Sequence, residues 1–265
     1  MKKINMKKLN HTSILLVVTM LCVVCFIAKS CKNVDDFKEI GEIEKEQQIE
    51  LLTSSSDLVW NFPVNPSTPE WKGLKSYEEQ LQAYNIPEEM IKEISTEELL
   101  KVCLAYPEWG IINAFNSRRI GLNNMMSRFN GFRELLARED AAKELIKVYS
   151  NIDPLAIGDD WTLLQKGEYS FQINCVELLL SHGRMIDKLD AQDIQNLQNE
   201  AILKYEQKKQ LSDVSLWDLS PTAGLHLSLL DKNGEFSKND TKLLLLKFYF
   251  MAEDIEVLDR TIGFK

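Results

Sequence analysis

Arginine is unevenly distributed in this sequence, and its spacing suggests anion chemistry. The chain has seven arginines, and five of them fall within 21 residues: Arg118, Arg119, Arg128, Arg133 and Arg138. Arg118 also interrupts an apolar stripe at helical spacing that includes Ile111, Phe115 and Leu122. Because an unpaired buried charge is costly, a guanidinium on such a face needs a planar anionic partner. That partner is either an internal Asp or Glu, or a carboxylate or phosphate ligand bound through two hydrogen bonds.

Aromatic residues lie close to this arginine cluster in the sequence. Tyr106 and Trp109 precede Arg118 and Arg119 by about a dozen residues. The sequence therefore predicts a ligand site formed by these four residues, in a groove near residues 106–138. The expected occupant is a protein partner, a peptide or a glycan.

Motifs for catalysis and metal binding do not occur in the sequence: G-x-S-x-G, H-E-x-x-H, a P-loop and G-x-G-x-x-G are all missing. His182 shares an apolar stripe with Cys175, but their separation of seven positions spans about 10.5 Å along a helix axis. Ligands of one zinc ion lie only about 2.0–2.3 Å from the metal. We therefore predict no catalytic residue, no metal site and no cofactor. An enzyme that uses dispersed residues such as His182 or His226 stays an alternative, because catalytic triads assemble from distant positions.

The first 30 residues have the pattern of an export signal. Four lysines among the first eight residues are followed by Ser13 to Ala28, an unbroken run of apolar and small residues. This run is shorter than the roughly 20 residues that cross a bilayer comfortably. Ala28 and Ser30 place small residues where a signal peptidase reads them. Cleavage after Ser30 would make Cys31 the first residue of the mature chain.

The stretch Ala28-Lys29-Ser30-Cys31 resembles a bacterial lipobox, the motif whose cysteine is diacylated. The resemblance implies that residues 1–30 are a lipoprotein signal peptide and that acylated Cys31 anchors the chain in a lipid bilayer. Ser30 matches the motif, whereas Lys29 and Ala28 depart from its Leu-Ala-Gly/Ala pattern. Plain secretion and an uncleaved anchor stay as alternatives.

The charge of the chain excludes some partners. The formal net charge is −9 at pH 7, although the first 30 residues carry five lysines and no acid, so the remainder is more acidic than the whole. Such a chain is repelled by phosphate backbones and by anionic lipid headgroups. We therefore predict no nucleic-acid partner and membrane attachment through the lipid.

Composition divides the remaining chain into a tether and a domain. Residues 31–57 are polar and acid-rich, which is typical of a flexible tether. Between residues 58 and 265, helix start signals recur: capping-box patterns at Ser76 and Ser95, and Pro87 and Pro221 at first helical positions. No run of alternating β-branched residues appears. The sequence therefore predicts an all-α, irregular multi-helix domain.

Hydrophobic periodicity gives the approximate positions of the helices. We predict helices near 76–84, 87–94, 96–105, 110–129, 132–138, 140–151, 168–189, 191–210, 220–230 and 239–259. Phe171 to Leu180 and Leu243 to Met251 are apolar nearly all round, which predicts two central helices. For Cys103 and Cys175, a single bridge and two buried free thiols are both open.

Two stretches of the domain resemble a group of uncharacterised exported proteins and lipoproteins of Bacteroidetes: TPEWKGLKSYEEQLQAYNIPEEMIKEISTEELLKVCLAYPEW and FNGFRELLAREDAAKELIKVY. The resemblance covers about residues 68–154. It implies a location in the bacterial cell envelope, and it implies no activity, cofactor or catalytic residue. Acidic residues after the lipidated cysteine are associated with surface export in that phylum, and Val34-Asp35-Asp36 is similar. An outer-membrane location is expected, with the periplasmic or surface face left open.

These observations together predict a membrane-anchored lipoprotein whose helical domain is an interaction or ligand-binding module. Two alternatives stay open: an envelope hydrolase with dispersed catalytic residues, and a structural accessory subunit of an outer-membrane complex. Loss of activity on His182→Ala would favour the hydrolase. Co-purification of a stoichiometric partner would favour the accessory subunit.

We expect Cys31→Ser to abolish lipidation, because the acyl chains are carried by the cysteine sulfur and the new amino terminus. The wild-type protein, produced in a bacterium with lipoprotein machinery, should show an intact mass of residues 31–265 plus acyl chains. The Cys31→Ser protein should lack the acyl mass. An unmodified wild-type chain 31–265 in the soluble fraction would contradict the lipoprotein prediction.

Overall fold

A computed structural model describes residues 58–158, 160–235, 241–250, 252 and 254–263. The predicted signal peptide 1–30, the predicted lipidation site Cys31 and the predicted tether 31–57 lie outside the described residues. All of the described residues belong to one compact unit, Gln48–Lys265.

Helices are the only regular secondary structure among the described residues, which confirms the predicted all-α class. The α-helices are α1 Pro69–Lys72, α2 Tyr77–Ala83, α3 Glu88–Glu93, α4 Thr96–Leu104, α5 Arg118–Arg128, α6 Asn130–Ala137, α7 Ala141–Asn151, α8 Leu163–Leu180, α9 Gly183–Ile186, α10 Ala191–Lys208, α11 Leu216–Lys232, α12 Thr241–Tyr249 and α13 Ile255–Ile262. Two 3-10 helices, Trp109–Ala114 and Pro154–Ala156, precede α5 and α8. Within the described ranges, no helix combines the length and the apolar character that a membrane crossing needs.

Side-chain caps set the beginnings of several helices. Ser76 and Ser95 cap α2 and α4 as predicted, since each hydroxyl accepts a hydrogen bond from a backbone N–H in the first turn. Thr162 forms a full capping box with Gln165 and so begins α8 at Leu163, earlier than the predicted start near 168. A capping box satisfies donors that have no partner within the helix, which favours a helix beginning at that position.

Three of the long predicted helices are interrupted. The segment 110–129 is a 3-10 helix followed by α5, the segment 168–189 is α8 followed by α9, and the segment 239–259 contains α12 and α13. The hydroxyl of Ser181 ends α8 by donating to the carbonyl of Leu178 at 2.7 Å. His182 then caps α9, because its Nδ1 accepts from the N–H of Arg184 at 3.3 Å.

Helix α11 contains a proline in its interior. The N–H and the hydroxyl of Ser215 donate to the carboxylate of Asp218, at 3.0 and 2.6 Å, and so organise the first turn. Pro221 has no N–H for the carbonyl of Trp217, four residues earlier. That carbonyl accepts instead from Nη1 of Arg118 at 3.1 Å. The prediction that Pro221 begins this helix is therefore wrong. The Ser215–Asp218 hydrogen bonds organise a first turn that starts at Leu216, and Arg118 supplies the donor that Pro221 lacks.

Helix α11 is also the most deeply buried helix of the described chain, since every residue from Leu219 to Leu230 is buried. Leu225 and Leu229 belong to the larger hydrophobic cluster, to which helices α3 to α10 contribute. Leu219 and Leu227 belong to a smaller cluster with α12 and α13. Helix α11 therefore packs between the two clusters, and it contributes to both, as does α10 through Ala201 and Tyr205.

The structure confirms one of the two predicted central helices and contradicts the other. The second half of α8, from Ile173 to Leu180, is fully buried, as predicted. Helix α12 buries Leu243 and Leu246, but Leu245 is 39% exposed. The prediction that this second segment is central is therefore wrong, because one of its faces meets solvent.

The two cysteines of the domain are free thiols. Cys103 in α4 and Cys175 in α8 are both buried and form no disulfide. Burial raises the pKa of both thiols well above its ordinary value, so they stay protonated at neutral pH. Of the two alternatives left open by the sequence, buried free thiols are confirmed.

Two glycines inside helices should respond in opposite ways to alanine. A Cβ at Gly224 in α11 would overlap the ring of Phe250, whereas a Cβ at Gly167 in α8 would meet nothing within 4 Å. We expect Gly224→Ala to lose about 1–3 kcal/mol of unfolding free energy through overpacking. Gly167→Ala should gain up to about 1 kcal/mol, because alanine restricts the unfolded chain. Urea unfolding of both variants measures this, and equal stability of the two would contradict the packing of α11 against Phe250.

Candidate ligand-binding site

The buried guanidinium of Arg118 is bound by a backbone carbonyl and an aromatic ring. Its Nη1 donates to the carbonyl of Trp217, and its Cζ lies 3.6 Å from the centre of the Trp217 ring. Arg118 is only 3% exposed, and burial lowers its pKa to about 10, which the nearby charge of Asp218 opposes. None of the described carboxylates forms an ion pair with Arg118. The inward position predicted for Arg118 is therefore observed, while the internal carboxylate considered as its direct partner is not.

The other residues of the predicted ligand site also bind within the protein. Arg119 donates from Nε and Nη2 to the carbonyl of Lys247, at 3.2 and 2.9 Å. The indole N–H of Trp109 donates to the carbonyl of Cys103 at 2.9 Å. Tyr106 is buried and stacks on Phe129, with ring centroids 4.6 Å apart. None of Tyr106, Trp109, Arg118 and Arg119 lines the cavity that is described below.

A buried polar network connects α7, α8, α10 and α11. Nζ of Lys208 donates to Oε2 of Glu177 at 2.8 Å, to Oγ1 of Thr222 at 3.0 Å and to the carbonyl of Asp218 at 3.0 Å. Oε1 of Glu177 accepts from the hydroxyls of Tyr149 and Thr222, at 3.1 and 2.8 Å. Glu177 is 0% exposed and Lys208 is 3% exposed. Each charge of this pair is thus compensated by the other and by neutral hydrogen-bond partners, as burial requires.

The Tyr149 hydroxyl acts as a donor in this network for an electrostatic reason. Burial, and then the charge of Glu177, raise the pKa of Tyr149 well above its ordinary value. The phenol therefore stays protonated at all physiological pH values and can donate to the carboxylate. The network has one arrangement of donors and acceptors, which fixes the four helices relative to one another.

Lysine residues at two positions on α10 were missed by the sequence reasoning. Lys204 donates to the carbonyl of Ile152, at the end of α7, and pairs with Glu200 at 2.9 Å. Lys208 lies one turn further along and enters the network above. Both lysines follow the apolar stripe of α10 at helical spacing, three and seven residues after Ala201. That spacing was the available signal that these cations face inward.

A cavity of about 480 Å³ lies beside this network. One face of α8 forms its first wall, through Leu163, Lys166, Gly167, Ser170 and Ile173. Pro154 and Ile157 form a second wall, and the segment from α10 to α11 closes it with Lys208, Gln210, Leu211, Ser212, Asp213, Val214 and Asp218. The volume falls within the range of small-molecule sites, roughly 300–1,000 Å³.

The cavity wall contains both apolar and polar residues. Leu163 lines the cavity and is nevertheless 81% exposed, so it lies at the opening. Lys208 and Asp218 are occupied by Glu177 and by the Ser215 cap. A wall of this kind can bury apolar ligand surface and leaves little room for acid–base chemistry.

The histidines considered for catalysis lie away from the cavity lining. Nδ1 of His182 accepts from the α9 backbone, and burial lowers its pKa, with Arg119 and Arg184 acting in the same direction. His226 is 2% exposed within α11. Among the residues that the structure describes, no group of three or more His, Cys, Asp or Glu side chains could hold a metal ion.

Comparisons of the chain with models of protein families, with curated proteins and with solved structures find no match. The resemblance to exported proteins of Bacteroidetes stays a prediction. The function is therefore inferred from the cavity and from the amino-terminal sequence.

We expect Lys208→Met to destabilise the protein by about 3–5 kcal/mol, because it leaves the buried carboxylate of Glu177 without its cation. Adding Glu177→Gln to Lys208→Met should recover part of this loss, since the amide is neutral and still accepts a hydrogen bond. Lys209→Met is the matched control: Lys209 pairs with Asp259 near the surface at 2.8 Å. Lys209→Met should lower the free energy of unfolding by less than about 1 kcal/mol. A Lys208→Met protein that unfolds in urea like the Lys209→Met control would contradict the role given to the network.

Proposed function

We propose that this protein is a lipid-anchored component of the bacterial envelope whose helical domain binds a small molecule in the cavity between α8 and the α10–α11 segment. The observation that carries the proposal is the cavity itself, about 480 Å³ in volume with an apolar residue exposed at its opening. A cavity of this size suits a small molecule better than the protein, peptide or glycan partner expected from the sequence.

The framework around the cavity supports binding without large rearrangement. The helix that forms the first wall carries Glu177 at its buried end, and the helix that precedes the closing segment ends at Lys208. Because these two residues are joined by a buried ion pair, the two walls are held at a fixed separation. A preformed cavity binds its ligand with little loss of conformational entropy.

The chemistry of the lining favours binding over catalysis. Nζ of Lys208 is held by three strong hydrogen bonds and a longer one to Oδ1 of Asn174, at 3.3 Å. A lysine held in this way is not placed to act as a nucleophile or a base. The hydrolase alternative would instead need His182 or His226, and neither lines the cavity.

The anchor is the second part of the proposal and rests on the sequence alone. The basic start, the apolar run and the lipobox-like stretch that ends at Cys31 support lipidation. An anchor at Cys31 and a tether to residue 57 would hold the cavity near an outer-membrane surface, on its periplasmic or its external face. The bilayer would then be a partner through the acyl chains.

We expect Gly167→Leu to block the cavity without unfolding the protein, because position 167 lies in its wall and has open space in front of it. Binding of 1-anilinonaphthalene-8-sulfonate, which fluoresces in apolar sites, should be lost in this variant, while the melting temperature stays equal or rises. Gly183→Leu is the control, since Gly183 also meets nothing within 4 Å and does not line the cavity. Equal dye binding by the wild type and both variants would contradict the proposed site.

A further inference from the structure

The charged groups that line the cavity are not equally available to a ligand. The Lys208 ammonium is bound by Glu177, and the Asp218 carboxylate accepts from the N–H and hydroxyl of Ser215. Asp213 is exposed in the loop and accepts from the hydroxyl of Ser212 at 3.3 Å. Lys166 is only half-buried, and its ammonium has no ion-pair partner among the described residues.

Among the described residues of the lining, Lys166 and Asp213 are the two charged groups that neither an ion pair nor a helix cap engages. Their surroundings decide which of the two charges acts more strongly on a ligand. Lys166 belongs to the face of α8 that lines the cavity, and because it is half-buried its charge is screened less by water than that of an exposed group. Asp213 also lines the cavity, but it is exposed, so water and salt screen its charge more strongly. A bound molecule therefore experiences the positive charge of Lys166 more strongly than the negative charge of Asp213.

The apolar part of the wall adjoins this charge. Leu163 precedes Lys166 by three residues, so both side chains lie on the same face of α8, one turn apart. Gly167 leaves a gap in the wall beside them. Ile157, Leu211 and Val214 add further apolar residues to the lining of the same cavity. A ligand with an apolar body could cover the exposed Leu163 while its polar end reaches Lys166.

We infer that the cavity binds a small amphipathic anion, with a carboxylate or sulfonate at Lys166 and an apolar body against Leu163, Ile157 and Leu211. This inference rests on the proposed ligand-binding function and adds the class of ligand. The anionic group forms a charge-assisted hydrogen bond with Lys166. The apolar body removes leucine and isoleucine surface from water.

Three probes with one body and different end groups test this inference: 4-phenylbutyrate, 4-phenyl-1-butanol and 4-phenylbutylamine. Their dissociation constants are measured by ligand-observed NMR on the full chain in lipid nanodiscs, with empty nanodiscs subtracted. We expect the acid to bind about fivefold more tightly than the alcohol, the order expected for one partly exposed ion pair, and the amine to bind more weakly than both.

Lys166→Met removes the charge and keeps an apolar side chain of similar length. In this variant the preference for the acid over the alcohol should disappear, while the affinity for the alcohol stays within about twofold. Lys92→Met is the control, because Lys92 is an exposed lysine on α3 and should leave all three affinities unchanged. Circular dichroism and melting temperature of each variant establish that it is folded.

The outcomes separate the inference from the function on which it rests. If all three probes bind equally, or the amine binds best, and Gly167→Leu abolishes their binding, the ligand site stands and the anion preference is overturned. If the acid preference survives in Lys166→Met, the assignment of Lys166 is overturned. If no probe binds, or Gly167→Leu binds like the wild type, the proposed function fails and the inference fails with it.

Discussion

The carbonyl of Trp217 has no donor within its own helix, and the contact that replaces this donor joins α5 to α11. Pro221 removes the N–H that would bind it, so the buried side chain of Arg118 supplies the hydrogen bond and stacks on the Trp217 ring. An acceptor without a donor and a buried cation without a partner are each costly, and this contact offsets both costs in part, since Nε of Arg118 has no hydrogen-bond partner among the described residues. The interaction ties the start of α5 to the start of α11, a helix that contributes to both hydrophobic clusters.

The next carbonyl of α11 is used in a related way. Lys208 donates to the carbonyl of Asp218 and to Glu177, so two buried cations from different helices bind adjacent residues in the first turn of α11. These contacts hold α8, α10 and α11 in place and leave the space between α8 and the α10–α11 segment unfilled. The cavity lies beside this polar framework, in which Lys208 pairs with Glu177, and Lys166 is the lining lysine that takes no part in it.

The features predicted correctly from the sequence are local. Ser76 and Ser95 begin their helices because a cap needs only the residues that follow it. Arg118 was expected to face inward because it interrupts an apolar stripe, and it does. The partner of Arg118 could not be predicted. It is a backbone carbonyl that lacks a helix donor because of Pro221, 103 residues away, and a backbone carbonyl does not show in the pattern of side chains. The predicted helix start at Pro221 was wrong for the same reason. A proline inside this helix needs a donor from elsewhere in the fold, here Arg118, and the sequence pattern does not show that donor.

The candidate site was missed because its lining joins residues 154–173 to the distant segment 208–218 and no motif marks either part. Leu163 and Lys166 precede the predicted start of their helix near 168, so their common face was not recognised. Of the four residues predicted to bind a ligand, Tyr106, Trp109 and Arg118 are buried and Arg119 is half-buried, since aromatic and arginine side chains suit a core as well as a binding cleft. Hydrophobic periodicity identifies the face of a helix that points inward, but it does not distinguish a tightly packed core from a cavity.

The most direct test of the account is native mass spectrometry of the full chain, purified from bacterial membranes in mild detergent, for the wild type and for Gly167→Leu. If the cavity binds a ligand, the wild type should retain a non-covalent molecule of a few hundred daltons. Collisional activation should release this molecule as an anion, and Gly167→Leu should retain none. Identical spectra for the two proteins, with no bound molecule or with the same bound molecule, would contradict the claim that this cavity is a binding site.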